Sequence, residues 1–268
     1  MIKFGINLNM DLIKYLKVAI NASIEAGESV IDIYESDEFE ITKKSDQSPL
    51  TKADIVANLI INRNLKKTKI NILSEENKEI DYQIRKNWKN IWIVDPIDGT
   101  KEFINKNGEF TINIALVCNG IPKLGVIYAP IKKVIYFGIS GLGSFKSSQI
   151  FSVDDIENYI KNSEKLPIDS QKIGYTVAVS KSHLSESTKA YLDIVKLNND
   201  KLNLVSVGSS LKICMVAEGS ADEYPRFGPT MEWDTAAGQV IAESAGFNFI
   251  DLKSKKTMTY NKINLLNN

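Results

Sequence analysis

Asp95 and Asp98 are the side chains whose type and spacing most directly suggest chemistry in this sequence. They stand three residues apart in Ile91-Trp92-Ile93-Val94-Asp95-Pro96-Ile97-Asp98-Gly99-Thr100. Two carboxylates held this close repel each other unless one is protonated or a cation lies between them. A hard divalent ion such as Mg2+, which takes oxygen ligands, suits such a pair, and the backbone carbonyl of Ile97 could add a ligand. Pro96 fixes its own φ and donates no hydrogen bond, so the intervening turn is stiff. Gly99 and Thr100 would offer backbone N–H groups to a phosphate if a helix opens at Lys101-Glu102-Phe103. The same letters also read as an Asp-Pro turn with an Asx-type cap and no chemistry. An EF-hand is excluded, because Ile97 falls where that loop needs an oxygen-bearing side chain.

Such acids need elements to carry them. The apolar run Ile91–Val94, bounded by Pro and Gly, predicts a buried strand ending at Asp95, with Asp98 in the turn beyond. A second apolar strand, Ile70-Asn71-Ile72-Leu73, runs into Glu75 and Glu76. Adjacent acids after a strand are commonly solvated loop residues. If both strands share a sheet, however, Glu75, Asp95 and Asp98 meet at one edge, where ligands of α/β sheets gather. Thr51 with Asp54 three residues on has the form of a capping box before the helical pattern Ile55, Val56, Leu59, Ile60. Asp234, in Met231-Glu232-Trp233-Asp234, reads as the N-cap of a helix over Thr235–Glu243. The small residues Ala236, Ala237 and Gly238 would let that helix approach another backbone closely.

The rest of the chain supplies a scaffold. Leu12, Leu16, Ala19, Ile20, Ile24, Val30 and Ile31 recur at helical spacing and predict an amphipathic helix over 11–34. Phe39–Lys43 alternates as a short strand, and 110–117, 124–129 and 134–137 form an antiparallel meander, turned at Asn119-Gly120. Gly141 and Gly143 make a turn. The polar stretch 147–170 predicts a seam between two parts, 1–150 with a helix-covered sheet and 151–268 with a smaller α/β unit. In the second, strands at 175–179 and 204–207 alternate with helices: Ser180-Lys181-Ser182-His183 leads into one ending at Leu197, and Gly208-Ser209-Ser210 opens one over 211–217.

With 33 basic and 33 acidic residues in 268, no net charge draws the chain toward a nucleic-acid polymer or an anionic membrane. Cys118 and Cys214 are far apart, which speaks against a disulfide framework or a zinc site and fits a reducing compartment. A single histidine, His183, excludes histidine-rich metal chemistry. No uncharged apolar run approaches the roughly 20 residues of a membrane span. Charges interrupt the apolar N-terminus, so no signal peptide is expected. The expectation is a cytoplasmic protein, with peripheral association at the inner membrane as an alternative placement.

The pair Asp95–Thr100 and Trp233-Asp234-Thr235-Ala236-Ala237-Gly238 resembles the signatures of the inositol-monophosphatase superfamily of Mg2+-dependent phosphatases. The strings 98–104, 107–116, 208–212 and 224–230 are similar to the bacterial 3'(2'),5'-bisphosphate nucleotidases of the CysQ type, and the likeness runs from about residue 10 past 260. The resemblance implies a layered α/β/α/β/α sandwich. It implies two or three Mg2+ ions held by Glu75, Asp95, the Ile97 carbonyl, Asp98 and Asp234, with Glu76 orienting a neighbouring ligand. It assigns catalysis to Thr100 with Asp54 or Glu75, which would polarise an attacking water. It assigns the scissile phosphate to Gly99 and Thr100, and further substrate contacts to Asp98 and Asp234. Lys212, Arg226 and Ser209 would hold the 5'-phosphate of 3'-phosphoadenosine 5'-phosphate, and His183 would lie near the sugar or base. The implied reaction releases AMP and phosphate from that small nucleotide, within sulfur assimilation and nucleotide recycling, by a monomer or homodimer. An inositol- or sugar-phosphate phosphatase of the same superfamily is the alternative.

Overall fold

The computed structural model describes residues 3–36, 41–43, 49–168, 172–181 and 185–267. The central meander is built because its strands are buried on both sides: eight consecutive residues, Phe110–Val117, six of them apolar, are buried, and such a run can only be covered on two faces. Among the described residues seven strands form this sheet, in the order β3 (Asn71–Ser74), β4 (Asn90–Asp98), β5 (Thr111–Cys118), β6 (Ile121–Ala129), β7 (Val134–Ile139), β8 (Gly143–Ser147) and β9 (Glu164–Lys165). β3 and β4 are parallel, and every other neighbouring pair is antiparallel. The β5–β6 turn has φ 50° at Asn119 and 77° at Gly120, the left-handed pair that a two-residue hairpin requires. A separate pair, β1 (Ile41–Lys43) and β2 (Pro49–Thr51), is antiparallel; Phe39 and Glu40 of the expected strand lie outside the described residues.

One face of the sheet is covered by α1 (Lys3–Glu35) and α2 (Lys52–Leu65), where Leu16, Ile20, Ile61, Trp92, Phe110 and Phe137 join one core. The other face carries α7 (Leu211–Glu218) and α8 (Glu232–Ser244), with Trp233, Ala236, Ala237 and Ile241 packed on Ile93, Ala115 and Ile127. The close approach expected of the small residues of α8 is real, and the sheet matches it. A Cβ built on Gly125 would lie 2.4 Å from the Ala237 carbonyl oxygen, and one on Gly138 would lie 3.0 Å from the Ile241 Cα.

Beyond α7 comes a parallel pair, β10 (Tyr175–Ser180) and β11 (Leu202–Val207). On it lies α6 (Glu186–Leu197), Val177 and Val179 packing on Leu192 and Val195. The layers therefore run helix, sheet, helix, sheet, helix, as expected. The polar stretch 147–170 holds more structure than a seam: α5 (Ile156–Lys161) packs back on α1, and β9 pairs with β8. The second strand of a short pair, β12 (Thr230–Met231) with β13 (Leu266–Asn267), brings the end of the described chain to the start of α8. No described helix is long and apolar enough to cross a membrane.

Candidate active site

The parallel register of β3 and β4 aligns Ser74 with Val94, so Glu75, just past the end of β3, stands beside Asp95 of β4. Asp98 reaches the same place by an irregularity. In a regular strand, residues three apart face opposite ways. Here Asp95 pairs with Asn113 and Asp98 with Thr111, so three steps on β4 match two on β5. That extra residue is a β-bulge at Pro96-Ile97, where proline has no N–H for the ladder. Because Asn113 and Thr111 share a face, so do Asp95 and Asp98. The apolar run predicts a strand ending at Asp95; the strand continues to Asp98, and the bulge takes the part expected of a turn.

Asp98 is held by a polar set that the motifs did not reveal. Its Oδ2 accepts hydrogen bonds from the Ser209 hydroxyl (2.8 Å), the Ser210 backbone N–H (2.7 Å), the Ser210 hydroxyl (2.6 Å) and Asn113 Nδ2 (3.4 Å). Asn113 also donates to Ser210 Oγ at 3.0 Å, and the Ser209 and Thr111 hydroxyls are 2.5 Å apart. Buried Thr111 and Asn113 interrupt an otherwise apolar strand, and that interruption was the available signal. Ser209 has φ 56°, and the Gly208 N–H is fixed by Glu109 Oε2 at 3.0 Å. A Cβ on Gly208 would strike Glu102 Cγ at 2.6 Å, so the turn packs hard against the α4 (Thr100–Ile104) region.

Asp54 carries two connections. Its Oδ2 accepts from the Thr51 N–H (2.7 Å) and hydroxyl (2.6 Å), the expected capping box, while Oδ1 accepts from the Thr100 hydroxyl at 3.4 Å. Thr100 Oγ1 is also 3.4 Å from the Ile97 carbonyl oxygen. Gly99 caps α4 at φ 91°, and that helix starts at Thr100 rather than Lys101.

Asp234 corrects one expectation: it is the third residue of α8, not its N-cap, and its Oδ2 reaches back to accept from the Met231 N–H at 2.9 Å. Its backbone carbonyl accepts from the Ser210 hydroxyl at 3.1 Å, so one serine touches both Asp98 and the Asp234 backbone. Burial pushes the Asp234 carboxyl up to about 8, and the charges of Asp98 and Glu75 push the same way.

Glu75, Asp98 and Asp234 line one cleft of about 790 Å³, whose wall also includes Lys212, Tyr224 and Arg226. Asp95 and Asp54 are buried, each 1% exposed. Among the described residues no three acidic, histidine or cysteine side chains converge closely enough to share one ion. The donor chemistry nevertheless fits a hard cation: every candidate ligand is oxygen, and three of the acids repel across one cleft.

Lys212 is buried; its ammonium donates to the carbonyls of Ser209 (2.6 Å) and Val207 (3.1 Å) and lies 5.4 Å from the Tyr224 ring centroid. Burial lowers its pKa, the charge of Arg226 acts in the same sense, and Asp98 opposes both. Arg226 donates through Nη2 to the Pro229 carbonyl at 3.1 Å, while its buried Nε has no hydrogen-bond partner among the described residues. His183 lies outside the described residues.

The chain matches the inositol monophosphatase family over residues 11–268. It is 40% identical over 238 residues to the 3'(2'),5'-bisphosphate nucleotidase CysQ of Salmonella typhimurium, covering 88% of this chain and 89% of that protein. The crystal structure of CysQ from Bacteroides thetaiotaomicron, a bacterial member of the inositol monophosphatase family, superposes with a TM-score of 0.86 at 45% identity, covering 95% of this chain and 94% of that one. The extragenic suppressor protein suhB of Bartonella henselae aligns with a TM-score of 0.69 at 26% identity, over 87% and 85% of the two chains.

Proposed function

Because the chain belongs to the inositol monophosphatase family, we propose that it hydrolyses the 3'-phosphate of adenosine 3',5'-bisphosphate, giving AMP and phosphate. The observation that carries the substrate class is the second charge character of the cleft. Acids that suit a cation share it with Lys212 and Arg226, whose Nε–H, without a partner among the described residues, suits an anion. A doubly phosphorylated small molecule needs both.

Magnesium held by Glu75, Asp95, the Ile97 carbonyl, Asp98 and Asp234 would neutralise phosphoryl oxygens and lower the pKa of water. The residues of the chain do the remainder. The backbone N–H groups of Gly99 and Thr100 orient the scissile phosphate. The Thr100 hydroxyl, donating to Asp54 Oδ1, is left with its lone pairs available to a water O–H, so the pair orients that water and Asp54 receives its proton through the hydroxyl. Asp54 stays fixed meanwhile, because its other oxygen is bound by Thr51. Ser209 and Ser210 hold Asp98 in one rotamer. Arg226 takes the 5'-phosphate through its planar fork and Lys212 adds a point charge. Within this proposal the enzyme works on a free nucleotide in the cytoplasm, as a monomer or homodimer.

The test is phosphate release with Mg2+ from adenosine 3',5'-bisphosphate and from inositol 1-phosphate. The bisphosphate is expected to be the better substrate, and turnover is expected to vanish in Asp98→Asn. An inositol ester used equally well or better would overturn the assignment.

A further inference from the structure

Two of the candidate cation ligands, Glu75 just past β3 and Asp95 within β4, are spaced by the sheet itself. Asp234 is not: it rides on α8, which meets the sheet through Ala236, Ala237 and the backbone opposite Gly125 and Gly138. Apolar packing of that kind resists separation of the layers but has no direction along the helix axis. Hydrogen bonds supply direction, and those that grip the start of α8 come largely from residues 260–267. Glu232, the first residue of α8 and fully buried, accepts from the Asn261 N–H (2.7 Å) and the Lys262 N–H (2.9 Å), and its own N–H donates to the Leu265 carbonyl (3.0 Å). Asn267 Nδ2 donates to the Met231 carbonyl at 2.8 Å and reaches the Thr235 hydroxyl at 3.0 Å. The Tyr260 hydroxyl, buried, donates to Gln239 Oε1 at 2.7 Å.

The other side of this segment is fastened to the connection that runs from Glu75 to β4. Arg85, the last residue of α3 (Tyr82–Arg85) and 2% exposed, donates to Asn261 Oδ1 (2.9 Å), the Lys262 carbonyl (2.6 Å) and the Ile263 carbonyl (3.0 Å). Asn261 Nδ2 returns a bond to the Arg85 carbonyl at 2.8 Å. A buried guanidinium with three directed bonds is a rigid strut, and a lysine could not reproduce it. We infer that segment 260–267, clamped between Arg85 and Glu232, is the positioning element that fixes Asp234 relative to Glu75 and Asp95 for cation binding. Arg85 and Glu232 touch no substrate; they act through the segment they grip. The inference rests on the functional reading above.

Magnesium alone, titrated calorimetrically into the metal-free full chain, is the probe. Arg85→Met and Glu232→Gln should each weaken magnesium binding about tenfold, the lower end for residues that orient ligands. Because one strut joins them, the double variant should lose scarcely more than the worse single variant. Turnover should return toward the wild-type level at saturating magnesium, and Arg85→Lys should fall between Arg85→Met and wild type. Tyr136→Phe, which removes a hydroxyl bonded to Glu218 on the far part of the same core, is the stability control. It should lower the melting temperature and leave magnesium binding unchanged. Wild-type magnesium affinity in Arg85→Lys and Glu232→Gln, additive losses, or an equal loss in Tyr136→Phe would each overturn the inference. If Arg85→Met does not fold, Arg85→Lys carries the same decision. A wild type that takes up no magnesium would remove the functional reading itself, and this inference with it.

Discussion

Asp234 gives the protein an unusual dependence on pH when no metal is bound. Its carboxyl titrates near 8 in the folded chain, chiefly because it is buried and secondarily because Asp98 and Glu75 face it. In the unfolded chain an aspartate titrates near about 3.9. Between those values the folded state binds the extra proton, so the stabilisation is complete at acid pH and drains away as pH rises toward 8. One proton corresponds to at most about 1.4 kcal/mol per pH unit, hence about 2 kcal/mol between pH 6.0 and 7.5. For a chain of this size that is a fall in melting temperature of about 4–8 °C. Few other groups titrate in this window, since the sequence has one histidine. Glu232 and Glu243 are also raised by burial, so the informative quantity is the difference between variants. Thermal melts of EDTA-treated protein should show the slope in wild type and a much flatter one in Asp234→Asn. Saturating magnesium should abolish or invert the wild-type slope, because a cation takes the place of the proton. Equal slopes in wild type and Asp234→Asn would refute the claim that these acids repel across one cleft.

Lys212→Ala should lower kcat/KM for adenosine 3',5'-bisphosphate by at least about tenfold, the equivalent of one charged hydrogen bond of about 1.5 kcal/mol or more, and spare a simple phosphomonoester. Because the Lys212 ammonium also holds the Ser209 carbonyl, equal losses on both substrates would mean that it serves only the turn. Thr100→Ala should lower kcat with little change in KM, and Thr100→Ser should restore most of it; an unchanged kcat would remove the hydroxyl from the reaction. Gly125→Ala should destabilise the protein by about 1–3 kcal/mol in urea unfolding, since its methyl would be forced to within 2.4 Å of the Ala237 carbonyl oxygen. A neutral result would show that α8 is not seated as described.

The layers were legible because the chain writes them with ordinary periodicities: buried runs for the sheet, a 3.6-residue pattern for α1, and a turn at Asn119-Gly120 that admits left-handed backbone. Asp98, Asp54 and Glu75 were legible because they end, cap or follow an element, and Asp95 because its carboxylate stands three residues from Asp98. Asn113 and Thr111 were marked only by interrupting an apolar strand, and that interruption gives no sign of which neighbour they serve. The roles of Ser210 and Glu109 depend on a crossing between β4–β5 and the 208–210 turn, about a hundred residues apart in sequence. The preference of acids for helix starts predicts a cap at Asp234, and the N3 position satisfies the same preference by reaching back. The stretch 147–170 predicts a seam only because polar composition is shared by linkers and by short elements that finish the rim of a sheet.

The irregular step at Pro96-Ile97 has a consequence for how this stretch can vary. Side-chain direction along a strand is counted in whole residues, so a three-residue spacing puts Asp95 and Asp98 on one face only while the bulge persists. A change that flattened this step into regular pairing without shortening it would turn Asp98 away from Ser209 and Ser210. The spacing of the two acids and the defect in the ladder are one feature, and neither can be altered alone.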